Sequence, residues 1–196
     1  MNRIVTFTAG KVLNAGEVPD VGFVPPLVRR RLSPLQRIYF SLAESLGASA
    51  VGGAVFASRD GEDSLTRRIV DEFREEGTVS PHRFSASVYN AAPGLWSIFT
   101  GNRAPYTAIA AGDDSVECAI LEALGAKLPA LCVYAEETGG GYGAAFILDA
   151  PRDGAKHYRV SAGETDRAPL SFADLAAFLN GETNCLAGRW VTVAEV

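Results

Sequence analysis

Two hydrophobic patterns alternate along the middle of the chain. Continuous apolar runs are typical of strands that are buried on both faces of a sheet. Three segments have this pattern, residues 51–57, 131–135 and 144–148, and residues 106–110 are predicted as a further strand. Between them, apolar residues recur every three or four positions, as in amphipathic helices. The alternation of the two patterns predicts an α/β fold.

Helix boundaries are marked by capping residues. Ser33, followed by proline and by Gln36, predicts a capped helix start. A second helix is predicted to begin at Asp63, and the last one at Ser171. Asp114 with Glu117 three residues later predicts a further capping box, on a helix with Val116, Ala119, Ile120, Ala123 and Leu124 facing inward.

Other segments have weaker patterns. Residues 4–8 and 11–13 predict a strand or a strand pair, and the proline-rich residues 18–31 predict irregular structure. A helix is predicted over residues 86–99, which Pro93 kinks or delays. Strands are also predicted at the end of the chain, at residues 157–160 and 190–193.

Length and composition narrow the class of protein. The 196 residues are 47% hydrophobic, which predicts one globular domain over residues 1–196. The net charge of −5 argues against nucleic-acid binding. We expect no membrane span and no signal peptide. The three cysteines are typical of a reducing compartment, so we expect a cytoplasmic protein.

Asp113 and Asp114 are the acidic candidates for chemistry. Adjacent side chains on a helix do not face each other, so helix capping is favoured over an acid–base pair. A carboxylate about 4 Å from a developing oxyanion costs about 4 kcal/mol at an effective dielectric constant of about 20. Acyl transfer at this position is therefore disfavoured.

The cysteines and histidines offer little more. Cys118 is predicted inside a helix and Cys132 in a core strand, whereas Cys185 is the cysteine expected to meet solvent. His82 and His157 are isolated, so we expect no metal site and no cofactor.

Two further motifs have simple interpretations. Gly139, Gly141 and Ala144 fit a dinucleotide-binding fingerprint, but a strand follows them, which favours a hairpin turn. The triplet from Arg29 to Arg31 is interpreted as a solvated patch, or as a contact for an acidic partner.

Residues 85–121 resemble the active-site segment of the β-ketoacyl synthases. In that family a helix, a glycine turn and a short strand lead to an elbow with the nucleophilic cysteine. Counted back from the helix at residues 118–123, the cysteine position falls on Asp113, between Gly112 and Asp114. Residues 31–35, 51–58, 126–136 and 144–148 also resemble pieces of the family's N-terminal half.

The resemblance implies a thiolase-like fold, a mixed sheet with helices packed on it. It covers residues 1–150, and residues 151–196 have no known correspondence. A complete synthase has a second half that supplies two histidines. The chain is therefore similar to the chain-length-factor-like homologues of type II polyketide and aryl-polyene systems. These homologues lack the cysteine, pair with a catalytic synthase and shape the tunnel for the acyl chain.

The same resemblance implies partners and contact residues. The expected partners are a catalytic β-ketoacyl synthase subunit and, indirectly, an acyl carrier protein. In the family, the strand before the elbow, here residues 106–110, pairs across the dimer. Candidates for partner or acyl contacts are Phe84, Tyr89, Asn90, Tyr106, Thr107 and Ile109. Trp96 and Phe99 are expected in the core.

Two other functions remain open from the sequence. One is a stand-alone acyl hydrolase or transferase that uses Asp113, Asp114 or Cys185. The other is a homodimeric acyl-binding scaffold. Absence of the synthase cysteine favours the non-catalytic subunit over both.

Overall fold

The computed structural model describes residues 2–196, with the side chain of Ser49 excepted. Its strands are β1 (Asn2–Leu13), β2 (Gly53–Ser58), β3 (Tyr106–Ala110), β4 (Ala130–Glu136), β5 (Tyr142–Asp149), β6 (Tyr158–Ala162), β7 (Cys185–Ala187) and β8 (Val191–Glu195). Its helices are α1 (Pro26–Arg29), α2 (Pro34–Ser45), α3 (Asp63–Glu76), α4 (Pro81–Ala86), α5 (Ala91–Thr100), α6 (Ser115–Gly125) and α7 (Phe172–Leu179).

All eight strands form one mixed sheet in the order β3-β2-β4-β5-β1-β6-β8-β7. The pairs β2–β3 and β2–β4 are parallel, and the remaining pairs are antiparallel. β1 lies near the centre and changes partner along its length, since Asn2–Val5 pair with β6 and the residues from Thr6 to Leu13 pair with β5, with a register shift between Phe7 and Ala9. The first segment is therefore one strand rather than a pair.

Helices cover both faces of the sheet, which explains the continuous apolar runs. In β2, Ala54 and Phe56 belong to the core under α2 and α5, whereas Val55 and Ala57 belong to the core under α6 and α7. Every residue of β2 and β4 is buried. The predicted α/β class and the mixed sheet are confirmed.

The capping predictions for two helices are confirmed. Ser33 and Gln36 form a capping box at the start of α2, and Ser171 and Asp174 form one at the start of α7. In both, the cap is made within four residues of chain. Sequence alone is sufficient for such local contacts.

The helix predicted over residues 86–99 is wrong in its bounds. The structure has two helices there, α4 ending at Ala86 and α5 beginning at Ala91. Pro93 lies in the first turn of α5, where its missing N–H costs no helical hydrogen bond. Trp96 of α5 is buried as expected, and the Phe99 ring lies 6.1 Å from that of Phe40.

The last part of the chain extends the same sheet. β6, β8 and β7 continue it beyond β1, and α7 packs on β5 and β1. β7 was missed because a three-residue strand has no period to detect. The predicted hairpin over Gly139–Gly141 is confirmed, since the antiparallel strands β4 and β5 flank it.

The carboxyl ends of the parallel strands meet at one edge of the sheet. Arg59 follows β2, residues 112–114 follow β3, and Glu136 ends β4. In open α/β sheets, ligands and chemistry are found at this edge. None of the helices in residues 2–196 has the length and apolar character needed to cross a membrane.

Candidate functional site at the β3–α6 elbow

The connection between β3 and α6 is a sharp turn of the kind that the resemblance predicts. Gly112 has a φ of 58°, a left-handed conformation that other residues rarely adopt. The Ser115 hydroxyl accepts a bond from the Ala111 N–H at 2.9 Å and donates one to the Gly112 carbonyl at 2.8 Å. These contacts place Asp113 at the tip of the turn.

Asp113 is an exposed partner of an arginine. Its side chain is 70% exposed and forms an ion pair with Arg59, which also lies 3.4 Å from Asp60. The hydrogen bond to Asp113 raises the pKa of the Arg59 guanidinium above its ordinary value, and the charges of Asp113 and Asp60 add to this effect. The predicted capping role of Asp113 is wrong, because the side chain turns away from the helix start toward the residue after β2.

Asp114 also makes no capping bond, and its contacts are with the last part of the chain. Its Oδ1 accepts a bond from the Trp190 ring N–H at 3.2 Å and lies 3.4 Å from the Arg189 guanidinium. Asp113 and Asp114 therefore hold two different arginines and do not form an acid–base pair.

Glu117 does not complete the predicted capping box. Its carboxylate is fully buried and accepts backbone N–H bonds from Leu170 at 2.9 Å and Arg189 at 3.0 Å on one oxygen. The other oxygen accepts from Trp190 at 2.5 Å and Val191 at 2.8 Å. Four N–H donors satisfy the buried charge, as such a group requires. Glu117 thus fastens two loops of the C-terminal segment to the elbow helix.

An open cavity of about 460 Å³ lies in front of the elbow. It is lined by Arg59, Gly112, Asp113, Asp114, Tyr134, Tyr142, Pro169, Leu170, Ser171, Phe172 and Arg189. Its two arginines face two aspartates, so its charges are largely compensated within the chain. The loops that Glu117 holds supply one wall.

Glu136 lies at the end of β4, two residues after Tyr134, which lines this cavity. Its carboxyl accepts a bond from the backbone N–H of Arg59. Burial raises the pKa of this carboxyl, whereas the Arg59 N–H and the Tyr134 hydroxyl lower it. The group is thus held in place by β2 and β4.

None of the cysteines lies at the tip of the elbow. Cys118 is in α6, Cys132 is buried in β4, and Cys185 is exposed on β7 at the opposite edge of the sheet. Burial raises the pKa of the thiols of Cys118 and Cys132, and for Cys118 the carboxylates of Asp114 and Glu117 add to the effect. Raised thiol pKa values disfavour the thiolate that nucleophilic attack needs.

The six predicted contact residues fall into two groups. Phe84, Tyr89 and Tyr106 are 63%, 54% and 38% exposed, and Asn90 stands at the start of α5 without a side-chain cap bond. In contrast, the Thr107 hydroxyl donates to Glu122 of α6 at 2.9 Å, and Ile109 packs on the core. The first group therefore lies on α4, just before α5 and on the edge strand β3.

Sequence reasoning missed a basic cleft of about 540 Å³ at the starts of α2, α3 and α4. Its basic side chains are Arg30, Arg31, Arg68, His82 and Arg83. Arg29 of the predicted basic triplet is not part of it, because its guanidinium donates to the carbonyls of Gly22 and Val24. The triplet indicated Arg30 and Arg31, but the other basic residues come from two distant segments that no local charge run connects to it.

Metal chemistry has no support in the part of the chain that the structure describes. No group of three or more histidine, cysteine, aspartate or glutamate side chains there is placed to hold a metal ion.

Comparison with known proteins agrees with this architecture. The sequence profile of the β-ketoacyl synthase N-terminal domain matches residues 8–139. This chain belongs to the β-ketoacyl synthase family. The family match includes the elbow and every strand from β2 to β4. None of the curated proteins compared with the chain matches it.

A solved structure shows the same synthase-like fold. It is described as the ketosynthase ApeO in complex with its chain length factor ApeC, from Xenorhabdus doucetiae. The match has a TM-score of 0.78 at 18% sequence identity, and it covers 97% of this chain and 98% of the other. The predicted thiolase-like fold is confirmed, and it includes β6, β7 and β8.

Proposed function

We propose that this chain is a non-catalytic subunit of the chain-length-factor type, which forms a heterodimer with a catalytic β-ketoacyl synthase. The system would be one of polyketide, aryl-polyene or fatty-acid-like biosynthesis. The observation that carries the proposal is the identity of the residue at the elbow tip. Asp113 stands there in an ion pair with Arg59, and no thiol shares the turn.

Aspartate cannot replace cysteine in this reaction. An acyl adduct on a carboxylate would be a mixed anhydride. The negative charge of the carboxylate would also oppose the oxyanion that forms during acyl transfer. The histidines do not supply the missing chemistry either. His82 lies in the basic cleft, and the His157 ring nitrogen bonds to the Arg152 carbonyl at 2.9 Å. The cavity at the elbow has neither of them in its lining.

The similar structure supports the same proposal. It is described as a ketosynthase in complex with its chain length factor, and the match covers 97% of this chain and 98% of the other.

The edge strand β3 supports pairing with a second subunit. Within residues 2–196, β3 is bonded to a strand on one side only. The strand itself and the segment from α4 to α5 beside it expose large apolar side chains: Phe84, Val88, Tyr89, Ile98 and Tyr106. An open edge next to an apolar surface is a site where another chain can add its own strand. We propose this surface as the heterodimer interface.

The basic cleft gives the acyl carrier protein a place in the proposal. Arg30 and Arg31 are exposed, and Arg68 and Arg83 share a single counterion, Glu72. In a chain of net charge −5, this cleft is a local reversal of charge. Complementary charge steers partners together and fixes their orientation. We propose that an acidic partner, in such a system the acyl carrier protein, approaches here.

Co-expression with a catalytic synthase subunit tests the proposal. The isolated chain should not condense malonyl and acyl thioesters. The purified pair should elute as a heterodimer and make products of a different length from those of the synthase alone. Condensation by the isolated chain would refute the proposal, and turnover lost in Asp113→Asn or Cys185→Ala would favour a hydrolase.

A matched pair of variants tests the interface. Phe84→Asp places a charge on the proposed surface and should weaken the heterodimer by at least about tenfold in Kd. Val18 is also an exposed apolar residue, 90% accessible, but it lies in the loop after β1. Val18→Asp should leave the Kd unchanged. Equal effects of both variants, or a stable homodimer that excludes the synthase, would contradict this interface.

A further inference from the structure

A small closed pocket lies under the ring of Tyr89, between α2, β2 and β3. It is lined by Leu35, Tyr39, Phe56, Ser58, Gly61, Glu62, Tyr89, Ala108 and Ile109. Its volume of about 10 Å³ is the space that one water molecule needs. Most of its wall is apolar, and the polar groups come from Glu62, Ser58 and Tyr39.

Glu62 is a buried carboxyl with half of its hydrogen bonds missing. The residue is 2% exposed, and its Oε1 accepts a bond from the Ser33 hydroxyl at 3.0 Å. Its Oε2 is buried without a partner among the described residues. Burial raises the pKa of this carboxyl to about 7, although the side chains of Ser33 and Gln36 lower it, and the nearby carboxylate of Glu137 adds a smaller increase. Glu62 therefore titrates close to neutral pH.

Groups from three parts of the chain face this carboxyl. Ser33, Gln36 and Tyr39 come from the start of α2, and Ser58 comes from β2. Glu137 follows β4, and its own Oε2 is also buried without a partner in the described residues. The charged neighbour that acts on Glu62 is thus a second acid, so ionisation of Glu62 is not compensated by a cation.

The ring of Tyr89 closes the pocket toward solvent. It lies against Gly61, where an added Cβ would be 2.3 Å from a ring carbon of Tyr89. Gly61 has a φ of 65°, and together with its missing side chain this allows the close contact. Tyr89 itself is 54% exposed. Among the walls of the pocket, this ring is the one that can leave without unpacking the core.

The segment that carries Tyr89 is linked to the same polar group. Gln36 forms the capping box with Ser33, and its amide donates to the Ala86 carbonyl at the end of α4 at 3.3 Å. Glu62 bonds to that Ser33. These bonds connect Glu62 with the end of α4, three residues before Tyr89.

We propose that Glu62 and Tyr89 form a pH-controlled gate to this pocket. While Glu62 is protonated, the ring of Tyr89 rests on Gly61 and the pocket is closed. When Glu62 loses its proton, the buried charge has one donor, and water is the additional donor that can reach it. The ring then moves outward and water enters to solvate Oε2. This inference rests on the pocket and concerns the isolated chain, in which Tyr89 of the proposed interface is half-exposed.

Hydrogen exchange of the whole protein tests the gate. The peptide of residues 84–94 contains the N–H of Ser87, Ala91 and Gly94, whose bonds hold this segment. Exchange is measured at pH 6 and pH 8 and corrected for the intrinsic pH dependence. The ionised fraction of a group with a pKa of about 7 rises about tenfold over this range. We expect the corrected exchange rate of this peptide to rise by a similar factor.

Two variants separate the gate from a general effect of pH. Glu62→Gln cannot ionise, so the extra exchange at pH 8 should disappear. Glu44→Gln removes the charge of an exposed glutamate of α2 and should behave as wild type. Tyr89→Ala removes a half-exposed ring and should give rapid exchange at both pH values. Equal exchange of wild type at pH 6 and pH 8, or an unchanged pH dependence in Glu62→Gln or Tyr89→Ala, overturns the proposal.

Discussion

Two buried glutamates in different regions of the molecule have opposite surroundings. Glu117 lies where the elbow helix meets the C-terminal strands, and Glu62 lies in the pocket under Tyr89. They are 0% and 2% exposed. Glu117 accepts bonds from four backbone N–H groups, whereas Glu62 accepts one from the Ser33 hydroxyl. The two carboxyl groups are buried to nearly the same extent, but they differ in the number of hydrogen-bond donors that surround them.

This difference separates a structural carboxylate from a responsive one. Because every oxygen of Glu117 is bonded, its charge orders the loops at Leu170 and Arg189 that line the elbow cavity. Glu62 is buried, and one of its oxygens has no hydrogen-bond partner among the described residues. Its charged form is therefore disfavoured, and the carboxyl titrates near neutral pH. The number of donors, rather than burial alone, decides which behaviour a buried acid has.

The largest effect is expected for Glu117→Gln. The amide group of glutamine would face two backbone N–H donors, and each unsatisfied buried donor costs about 1–3 kcal/mol. We therefore expect the free energy of unfolding to fall by about 2–6 kcal/mol, measured by urea denaturation. Glu44→Gln is the control, because it removes the same charge from an exposed site. A loss no larger than that of the control would contradict the role of Glu117.

The second effect is the pH dependence caused by Glu62. Its pKa is raised from 4.5 to about 7 in the folded chain. Between these values the unfolded chain is ionised while the folded chain keeps the proton, so stability falls as pH rises and levels off above about 7. The free energy of unfolding of Glu62→Gln relative to wild type should increase by about 3 kcal/mol from pH 4 to pH 8. A constant difference would show that Glu62 titrates normally.

Removal of the single donor to Glu62 gives a smaller effect. Ser33→Ala and Ser171→Ala each delete the serine of a capping box, which costs about 1 kcal/mol. Only Ser33 also bonds to a buried carboxylate. The loss of stability in Ser33→Ala should therefore grow between pH 6 and pH 8, and the loss in Ser171→Ala should not. If the two variants lost stability in parallel as the pH rises, the hydrogen bond from Ser33 to the ionised Glu62 would be contradicted.

The smallest effect is expected at the exposed Asp113. Its ion pair with Arg59 is surrounded by water, and such pairs contribute little to stability. Asp113→Asn should change the free energy of unfolding less than any of the variants above, and a high salt concentration should remove the change, because salt screens exposed charges. A larger effect that persists in salt would place Asp113 with the buried acids.

Much of the fold was predictable because its signals are local. The apolar runs that became β2, β3, β4 and β5 and the cap serines of α2 and α7 lie within single segments. The synthase-like order of these pieces was also predictable, and the family match over residues 8–139 agrees with it. Prediction failed where one element had no period of its own, as in β7.

The chemistry of the elbow was only partly predictable. That Asp113 occupies a sharp turn between a strand and a helix followed from the sequence, since glycine and polar residues separate two apolar patterns. Its partner Arg59 did not, because the two residues are joined only where parallel strands end side by side. The basic cleft was divided among three helix starts in the same way.

By itself, the sequence of this protein determined where α2, α3, α6 and α7 begin, which segments form the strands β2 to β5, and that the elbow carries a carboxylate. Tertiary structure alone decided what each carboxylate does. Glu117 had the spacing of a helix cap, yet its donors come from residues 53 to 74 positions away. Glu62 had no distinguishing pattern at all. A hydrogen bond between distant segments depends on which loops the sheet brings together, and no local pattern of residues contains that information.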